Sequence, residues 1–463
     1  MIYRWLNRVC EYFNRCSPIL VLTPYSRNIG NCAEEIYFGL LKARREGKRA
    51  LFLFPRPLFW KFRVEVANRA LLAIESDHCV RNDSALGHLA GWLLTMIFFC
   101  LRQLYLRPRQ VIRRLQHMRS GPWAGLRSNI FYVIPSVGRA TLWQPDDVQH
   151  FSWAVMTSCR WKEQHEAPLP VRLRPEDQRR AEQLRATMGV PLDGWYVCLH
   201  VREGGFQGDW RTGVHRNCSI LNYIEGIRAI TDAGGFVVRL GDDSMRRLPD
   251  LGRVIDYPHT AFKSELMDVY LVSQCRFYIG MNSGPLCLAW LFHKHVVMTN
   301  LSEWTMTFPK LRGDLAIIKH IFSRSRQRFL SLRELLGEPF ECQGVREIGS
   351  DYVMVENTPE EIRDVIVEHL NTREVYEYSL LQEAFNEGRR AQIRRWLEHD
   401  VSFAGSGLDD SEEKYHLAAH GDASEGALGQ RYVEQNWLKD RSSTRTSVCC
   451  APILERKGNN PSQ

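Results

Sequence analysis

Residues 195–300 constrain the fold more than any other stretch, because a short apolar run, an abrupt polar or Gly-rich corner and a helix pattern recur through them. Residues 195–201 are continuously apolar with aromatic and β-branched content, as in a strand buried on both faces. That strand delivers His200, Arg202 and Glu203 to a loop crowded with Gly204, Gly205, Gly208, Asp209, Arg211, His215 and Arg216. The spacing then predicts a helix capped by Ser219 and ended by Gly234-Gly235. A strand follows over 236–240, with Asp242 and Asp243 at its tip, and a weaker one over 253–257. A helix over 263–275 carries Asp268, and a strand over 277–281 leads into Asn282-Ser283-Gly284. A helix over 285–292 and a strand over 295–299 close the unit. Such alternation predicts a mainly parallel sheet with right-handed crossovers. Its corners all fall at the carboxyl ends of the strands, where ligands of open α/β sheets bind.

The first part of the chain repeats the plan. A strand is expected over 18–24, a loop through Asn28 and Gly30, a helix over 32–46 that opens with Glu34 and Glu35, and a second strand over 50–54. Gly30 lets the backbone turn tightly or come close to a ligand. Residues 167–174, with alternating prolines, read as an extended linker, which places a boundary near residue 170. With 463 residues, two domains are expected: 17–170, bearing a helical insertion over 64–128, and 171–370. Residues 304–347 read as irregular connection and helices, and 374–397 as a helix. Thr358-Pro359-Glu360-Glu361 is a capping-box helix start. The extension 371–463 is expected to lose structure from about Gly405.

The order His200-Val201-Arg202, Leu240-Gly241-Asp242-Asp243, Met267-Asp268 through Ser273-Gln274, and Asn282-Ser283-Gly284 resembles GDP-fucose-dependent fucosyltransferases. More closely, the segment is similar to a bacterial glycosyltransferase family of surface-polysaccharide synthesis, with a looser likeness from about Ser17 to Leu370. One position departs: Glu203 stands where the fucosyltransferase motif His-x-Arg-Arg has its second arginine. The resemblance implies two Rossmann-like, doubly wound domains facing a cleft (GT-B-like), with a nucleotide-sugar donor as co-substrate and no resident cofactor. It implies donor contacts from His200, Arg202, Asp242, Asp243, Asp268, Asn282, Ser283 and Gly284. Arg216 of the polar loop is a further donor candidate. In a two-Rossmann enzyme the corner with Asn28, Gly30 and Glu34 would face the cleft as a candidate acceptor side. Arg202 suits a diphosphate because its guanidinium binds two oxygens at once. Asn282-Ser283-Gly284 opens a helix whose backbone N–H groups attract anions. For the base that takes the acceptor's proton, Glu203, Asp209 and His215 compete with Glu34 and Glu35. Plainer roles fit some of these residues equally: His200 as a loop-orienting strand end, Asp268 as a partner of Lys263, Glu34 and Glu35 as first-turn carboxylates.

Asp242-Asp243 is not the Asp-x-Asp of metal-dependent nucleotide-sugar enzymes, so no metal is expected. No G-x-G-x-x-G opens a helix and no G-x-x-x-x-G-K-[ST] occurs, which argues against a dinucleotide oxidoreductase and a phosphate-loop NTPase. A non-catalytic nucleotide-binding or membrane-associated adaptor on the same fold is the rival reading, and Glu203 is its main support.

Charge is local. Eight arginines and no Lys, Asp or Glu lie between Ser84 and Pro145, and they match the +8 of the whole chain. They follow the apolar run 85–101, which is interrupted by Gly87, His88 and Gly91. Apolar beside basic suits an anionic membrane surface, where each charge adds about 1 kcal/mol. A solvated helix face is the plainer alternative, and no nucleic-acid signature accompanies the arginines. Residues 1–16 form an amphipathic pattern, with Trp5, Leu6, Val9 and Phe13 opposite Arg4, Arg8 and Arg15. That pattern fits both an interfacial helix and one packed on the first domain. The 13 cysteines are dispersed and no secretory leader is evident, so a cytoplasmic protein, peripheral on the inner face of the plasma membrane, is expected.

Overall fold

The computed structural model describes residues 18–22, 29–45, 47–52, 67–80, 89, 170–204, 214–305, 307–337, 340, 351–372, 376–398 and 424–438. The leader 1–16, Asn28, the apolar stretch apart from residue 89, the arginine-rich stretch, Asp209 and the end beyond 438 lie outside them.

The first unit begins with β1 (Ile19–Leu22), α1 (Ile29–Arg45) and β2 (Arg49–Phe52), close to the expected bounds. A 3-10 turn over Arg69–Ala73 leads to β3 (Ile74–Glu75) and β4 (Cys79–Val80). β1, β2 and β4 form a parallel sheet, so the expected helical insertion from residue 64 is corrected: 67–80 is turn and strand. β5 (Arg172–Leu173) pairs antiparallel with β3, so the expected linker is not a free extended segment at this point. Extended backbone beside Pro170 found a strand partner in place of solvent.

The second unit runs α2 (Pro175–Thr187), β6 (Tyr196–Leu199), α3 (Ile224–Asp232), β7 (Phe236–Arg239), β8 (Val254–Asp256) and α4 (Glu265–Gln274). It continues with β9 (Tyr278–Gly280), α5 (Leu286–Leu291), β10 (Val296–Leu301) and β11 (Leu315–Ile318). Next come β12 (His320–Ser323), β13 (Arg328–Phe329), the single turn α6 (Leu332–Leu335), β14 (Tyr352–Val355), α7 (Pro359–Leu370) and α8 (Leu380–Glu398). β15 (Ala427–Leu428) and α9 (Gln430–Asn436) complete it.

Seven strands make one sheet in the order β15-β11-β10-β9-β6-β7-β8, every neighbouring pair parallel. β6, β7, β9, β10 and β11 are enclosed on both faces, which is why their sequences run apolar without alternation. From β6 the chain goes outward to β7 and β8, then crosses back to β9 on the other side of β6. The order therefore reverses between β6 and β9, the switch point at which such sheets open a crevice. Entry into β6 is fixed by Arg185, 7% exposed, whose Nη2 donates to the carbonyls of Pro191 and Gly194 at 2.5 Å each.

Two expectations are corrected here. Residues 315–329 are not irregular: they supply β11, β12 and β13, and β12 pairs antiparallel with both β13 and β14. The expected loss of structure from about Gly405 does not hold for 424–438, because β15 pairs with β11 and α9 packs on α7. The capping box is as expected. Thr358 Oγ1 accepts from the Glu361 backbone at 3.2 Å, and the Glu361 carboxylate accepts from the Thr358 backbone at 3.0 Å.

The exit of β10 is shaped by a reciprocal amide pair. The register with β11 shifts between Met298 and Leu301, and Asn300 takes a left-handed φ of 51°. Asn300 N–H donates to Asn357 Oδ1 at 2.7 Å, and Asn357 N–H donates to Asn300 Oδ1 at 2.7 Å. Both residues are buried, so this pair fixes the direction in which Ser302 and Glu303 leave the sheet.

Candidate active site

Four strand ends meet under one short turn, 214–218. Arg202, just past β6, donates its backbone N–H to Met281 Sδ at 3.3 Å and its Nε to Asn217 Oδ1 at 3.0 Å. Cys218 N–H donates to the Arg202 carbonyl at 2.9 Å. Arg216 Nη1 donates to the Asn282 carbonyl, past β9, at 3.3 Å. His215 Nε2 lies 3.2 Å from Glu303 Oε1, past β10. Lys319 Nζ, past β11, donates to the Asn217 carbonyl at 2.8 Å. The turn is held at its far side by Ser219 and Asn222, which both donate to Glu356 Oε2, at 2.9 and 2.8 Å. The sequence builds this because Ser219 caps the next turn, accepting from Leu221 N–H, so the chain stops and redirects there.

Beneath the turn, polar groups are enclosed. Asn282 is 7% exposed, and neither its Oδ1 nor its Nδ2 has a hydrogen-bond partner. His200 is 5% exposed, with Nδ1 likewise unpartnered. Burial pushes the His200 imidazole down to about 4. Asp242 opposes that shift, while Arg239 and Arg202 add to it. At neutral pH His200 is therefore a neutral ring, able to hydrogen-bond but not to supply positive charge.

The remaining sequence candidates are placed as follows. The Glu203 carboxylate accepts from Arg239 Nη2 at 2.8 Å and from Arg246 N–H at 3.1 Å. Asp242 accepts from the backbone and hydroxyl of Ser244 as a local turn, and Asp243 beside it is exposed. Asp268 bonds the Tyr257 hydroxyl at 2.9 Å and Lys263 Nζ at 2.5 Å, the plainer of its two expected roles. Burial raises its carboxyl and Lys263 lowers it. Ser283 and Gly284 precede α5, a helix of six residues. A side chain on Gly30 would bring its Cβ to 2.5 Å from Gly284 Cα, so the corners at Gly30 and Gly284 approach each other backbone to backbone. Glu34 acts electrostatically on Lys310 and Cys287; Lys310 is pushed down to about 8, first by burial, with Glu34 opposing.

The structure thus gathers Arg202, His215, Arg216 and Asn282 in one place, with His200 at the same sheet end, and it gives Asp268 other partners. It adds Asn217, Glu303 and Lys319, which no local pattern marks. Glu303 is 88 residues from His215, and the two meet only through the strand order. Arranged like this, two guanidiniums and a buried amide suit an anionic ligand, and a histidine paired with a carboxylate suits proton transfer.

No family model and no curated protein matches the chain. Among solved structures it is similar to the family 9 glycosyl transferase of Veillonella parvula DSM 2008. That match has 10% identity and a TM-score of 0.31, and it covers 60% of this chain and 79% of that one. It is also similar to the dodecameric iron-containing heptosyltransferase TibC, solved in complex with ADP-D-beta-D-heptose, at 25% identity and a TM-score of 0.17. That overlap covers 23% of this chain and spans only 28% of the length of TibC. Overlaps this loose carry no weight for function. Among the described residues, no three His, Cys, Asp or Glu side chains are grouped to hold a metal ion. No helix of the described residues is long and apolar enough to cross a membrane.

Proposed function

We propose that the protein is a glycosyltransferase of GT-B type, moving a sugar from a nucleotide-sugar donor to a glycan or lipid-linked glycan in surface-polysaccharide synthesis. The observation that carries this reading is the placement of Arg202 and Arg216 at the β6/β9 switch point, where they are tied to Asn217 and to the Asn282 carbonyl. A nucleoside diphosphate gains negative charge as its bond to the sugar breaks, and fixed donors aimed at it lower the barrier. The two guanidiniums hold the diphosphate, and Asn282, enclosed beneath them, orients it. They stand where a cation would otherwise neutralise the leaving group, so the transfer is metal-independent. The donor-binding set extends to His200, Asp242, Asp243, Ser283 and Gly284, whereas Asp268 is taken up by Tyr257 and Lys263. The acceptor enters from the Gly30 and Glu34 side, where Gly30 abuts Gly284. In this reading the enzyme works in the cytoplasm, and the apolar and arginine-rich segment 85–127 brings it to the anionic inner face of the plasma membrane.

The test is nucleotide release from a panel of GDP-, UDP-, ADP-, CMP- and dTDP-sugars, preceded by thermal shift with the free nucleotides. One donor is expected to turn over and to survive EDTA. Arg202→Ala is expected to lose about 100-fold or more in kcat/KM with an unchanged circular dichroism spectrum. Nucleotide binding with no turnover of any donor would replace the enzyme by a binding adaptor. Full loss of turnover in EDTA would remove metal independence.

A further inference from the structure

Glycosyl transfer to a hydroxyl needs a group to take the hydroxyl's proton, and among the described residues the geometry leaves few contenders. Glu203 is bonded to the enclosed Arg239 and to a backbone N–H. Glu34 acts electrostatically on the buried Lys310. His215 sits one residue from Arg216 and two from Asn217, the residues that tie β6 to β9, and its side chain is 18% exposed. Its Nε2 meets Glu303 Oε1 at 3.2 Å, and the Glu303 side chain is 9% exposed.

We propose that His215 is the base that deprotonates the acceptor, that Glu303 is its positioning residue, and that the transfer inverts the anomeric centre. This rests on the glycosyltransferase reading above. The Glu303 carboxylate keeps the proton of the neutral ring on Nε2, so Nδ1 carries the lone pair. The acceptor oxygen forms its bond to the anomeric carbon as its proton passes to Nδ1. The bond from that carbon to the diphosphate oxygen breaks with its electron pair, which leaves on the nucleotide beside Arg202 and Arg216. The imidazolium so formed is paired with Glu303, as a carboxylate supports a histidine base in other acyl- and group-transfer sites. A single displacement brings the acceptor oxygen in opposite the bond that breaks, which is why the configuration inverts.

The test uses the full chain and whichever nucleotide sugar of the panel turns over. His215→Asn is expected to lower kcat by about 100-fold or more, with donor KM and the nucleotide-induced thermal shift held within threefold of the parent. Glu303→Gln is expected to lower kcat by about tenfold, and Glu303→Asp to recover part of that loss. Azide, a nucleophile with no proton to remove, is expected to restore donor turnover at least tenfold in His215→Asn and not in Arg202→Ala. Should Glu303→Gln fail to fold, His215→Asn on the turn and the azide arm decide the matter alone. Native kcat in His215→Asn, or a product that retains its anomeric configuration by proton NMR, overturns the assignment while a defective Arg202→Ala keeps the enzyme reading intact. If no nucleotide sugar reacts, or Arg202→Ala is fully active, the enzyme reading itself falls and takes this inference with it.

Discussion

The guanidinium of Arg239, wholly enclosed at the end of β7, is clamped between two carboxylates: Glu203 at 2.8 Å and Asp256 at 2.9 Å. Glu203 is the position at which the sequence departs from the fucosyltransferase motif, and the fold uses it to neutralise an interior cation.

Glu203→Gln is therefore expected to act on stability. It leaves a buried charge with one counter-ion, a change that costs about 2–3 kcal/mol when the other carboxylate stays in place. The double variant Glu203→Gln/Arg239→Met should lose less than the sum of the two single changes, because the charge left short of a counter-ion is gone. Urea unfolding of the four proteins of the cycle measures this. Additive losses would show that the ion pair is not coupled. If Glu203→Gln were fully stable but inactive, Glu203 would belong with the reacting groups.

Asn357→Ala should destabilise more than its size suggests. It removes the acceptor of the Asn300 backbone N–H and the donor to the Ile318 carbonyl at 2.7 Å, both in the interior, and leaves only the bond from the residue 357 backbone N–H to Asn300 Oδ1. Unmade buried hydrogen bonds of this kind cost about 2–3 kcal/mol together. A drop of less than about 0.5 kcal/mol in a denaturant titration would mean that the β10 exit is not held by the pair.

His200 gives stability a pH dependence. Its folded pKa, about 4, lies below the ordinary value of 6.5, so the unfolded chain binds more protons between those limits. The contribution is fully present above about pH 6.5, falls as the pH drops towards 4, and amounts to about 3 kcal/mol at most. The difference in unfolding free energy between the parent and His200→Asn, followed from pH 8 to pH 4, should therefore shrink with acid. A difference independent of pH contradicts the buried neutral ring.

Gly30→Ala tests the contact between the two halves. The added methyl would lie 2.5 Å from Gly284 Cα and 2.7 Å from its carbonyl oxygen, both backbone atoms that cannot swing aside. About 1–3 kcal/mol of destabilisation is expected, read as a lower melting temperature. Gly47→Ala is no substitute control, since φ there is 62° and strain enters without any clash. An unchanged melting temperature would show that α1 and the Gly284 corner yield freely.

The central strands and their corners were legible because the signal is local. Each apolar run from β6 to β10 ends in a residue that breaks it, and the Thr358 cap is complete within four residues. β11 and β12 were not legible. Lys319 separates them, β12 opens on His320, and charged residues follow, so no run is long enough to outweigh its surroundings. β15 is two residues long beside Gly426 and Gly429, and only its pairing with β11 makes it a strand. The site divides in the same way. Arg202, Arg216 and Asn282 stand at corners that a reader can see, whereas Glu303 and Lys319 acquire meaning only when the strand order carries them to the 214–218 turn.

The pairing of Ala427 with Leu315 and of Leu428 with Ala316 has a consequence for how the chain is made. The strand that completes the sheet on this side is translated long after its neighbour. Until it emerges, β11 exposes a flat, apolar row of unpaired peptide groups, the kind of border that recruits strands from other molecules. During synthesis the nascent protein is therefore open to aggregation along this border, and a chain cut before Ser424 keeps that border for its whole life.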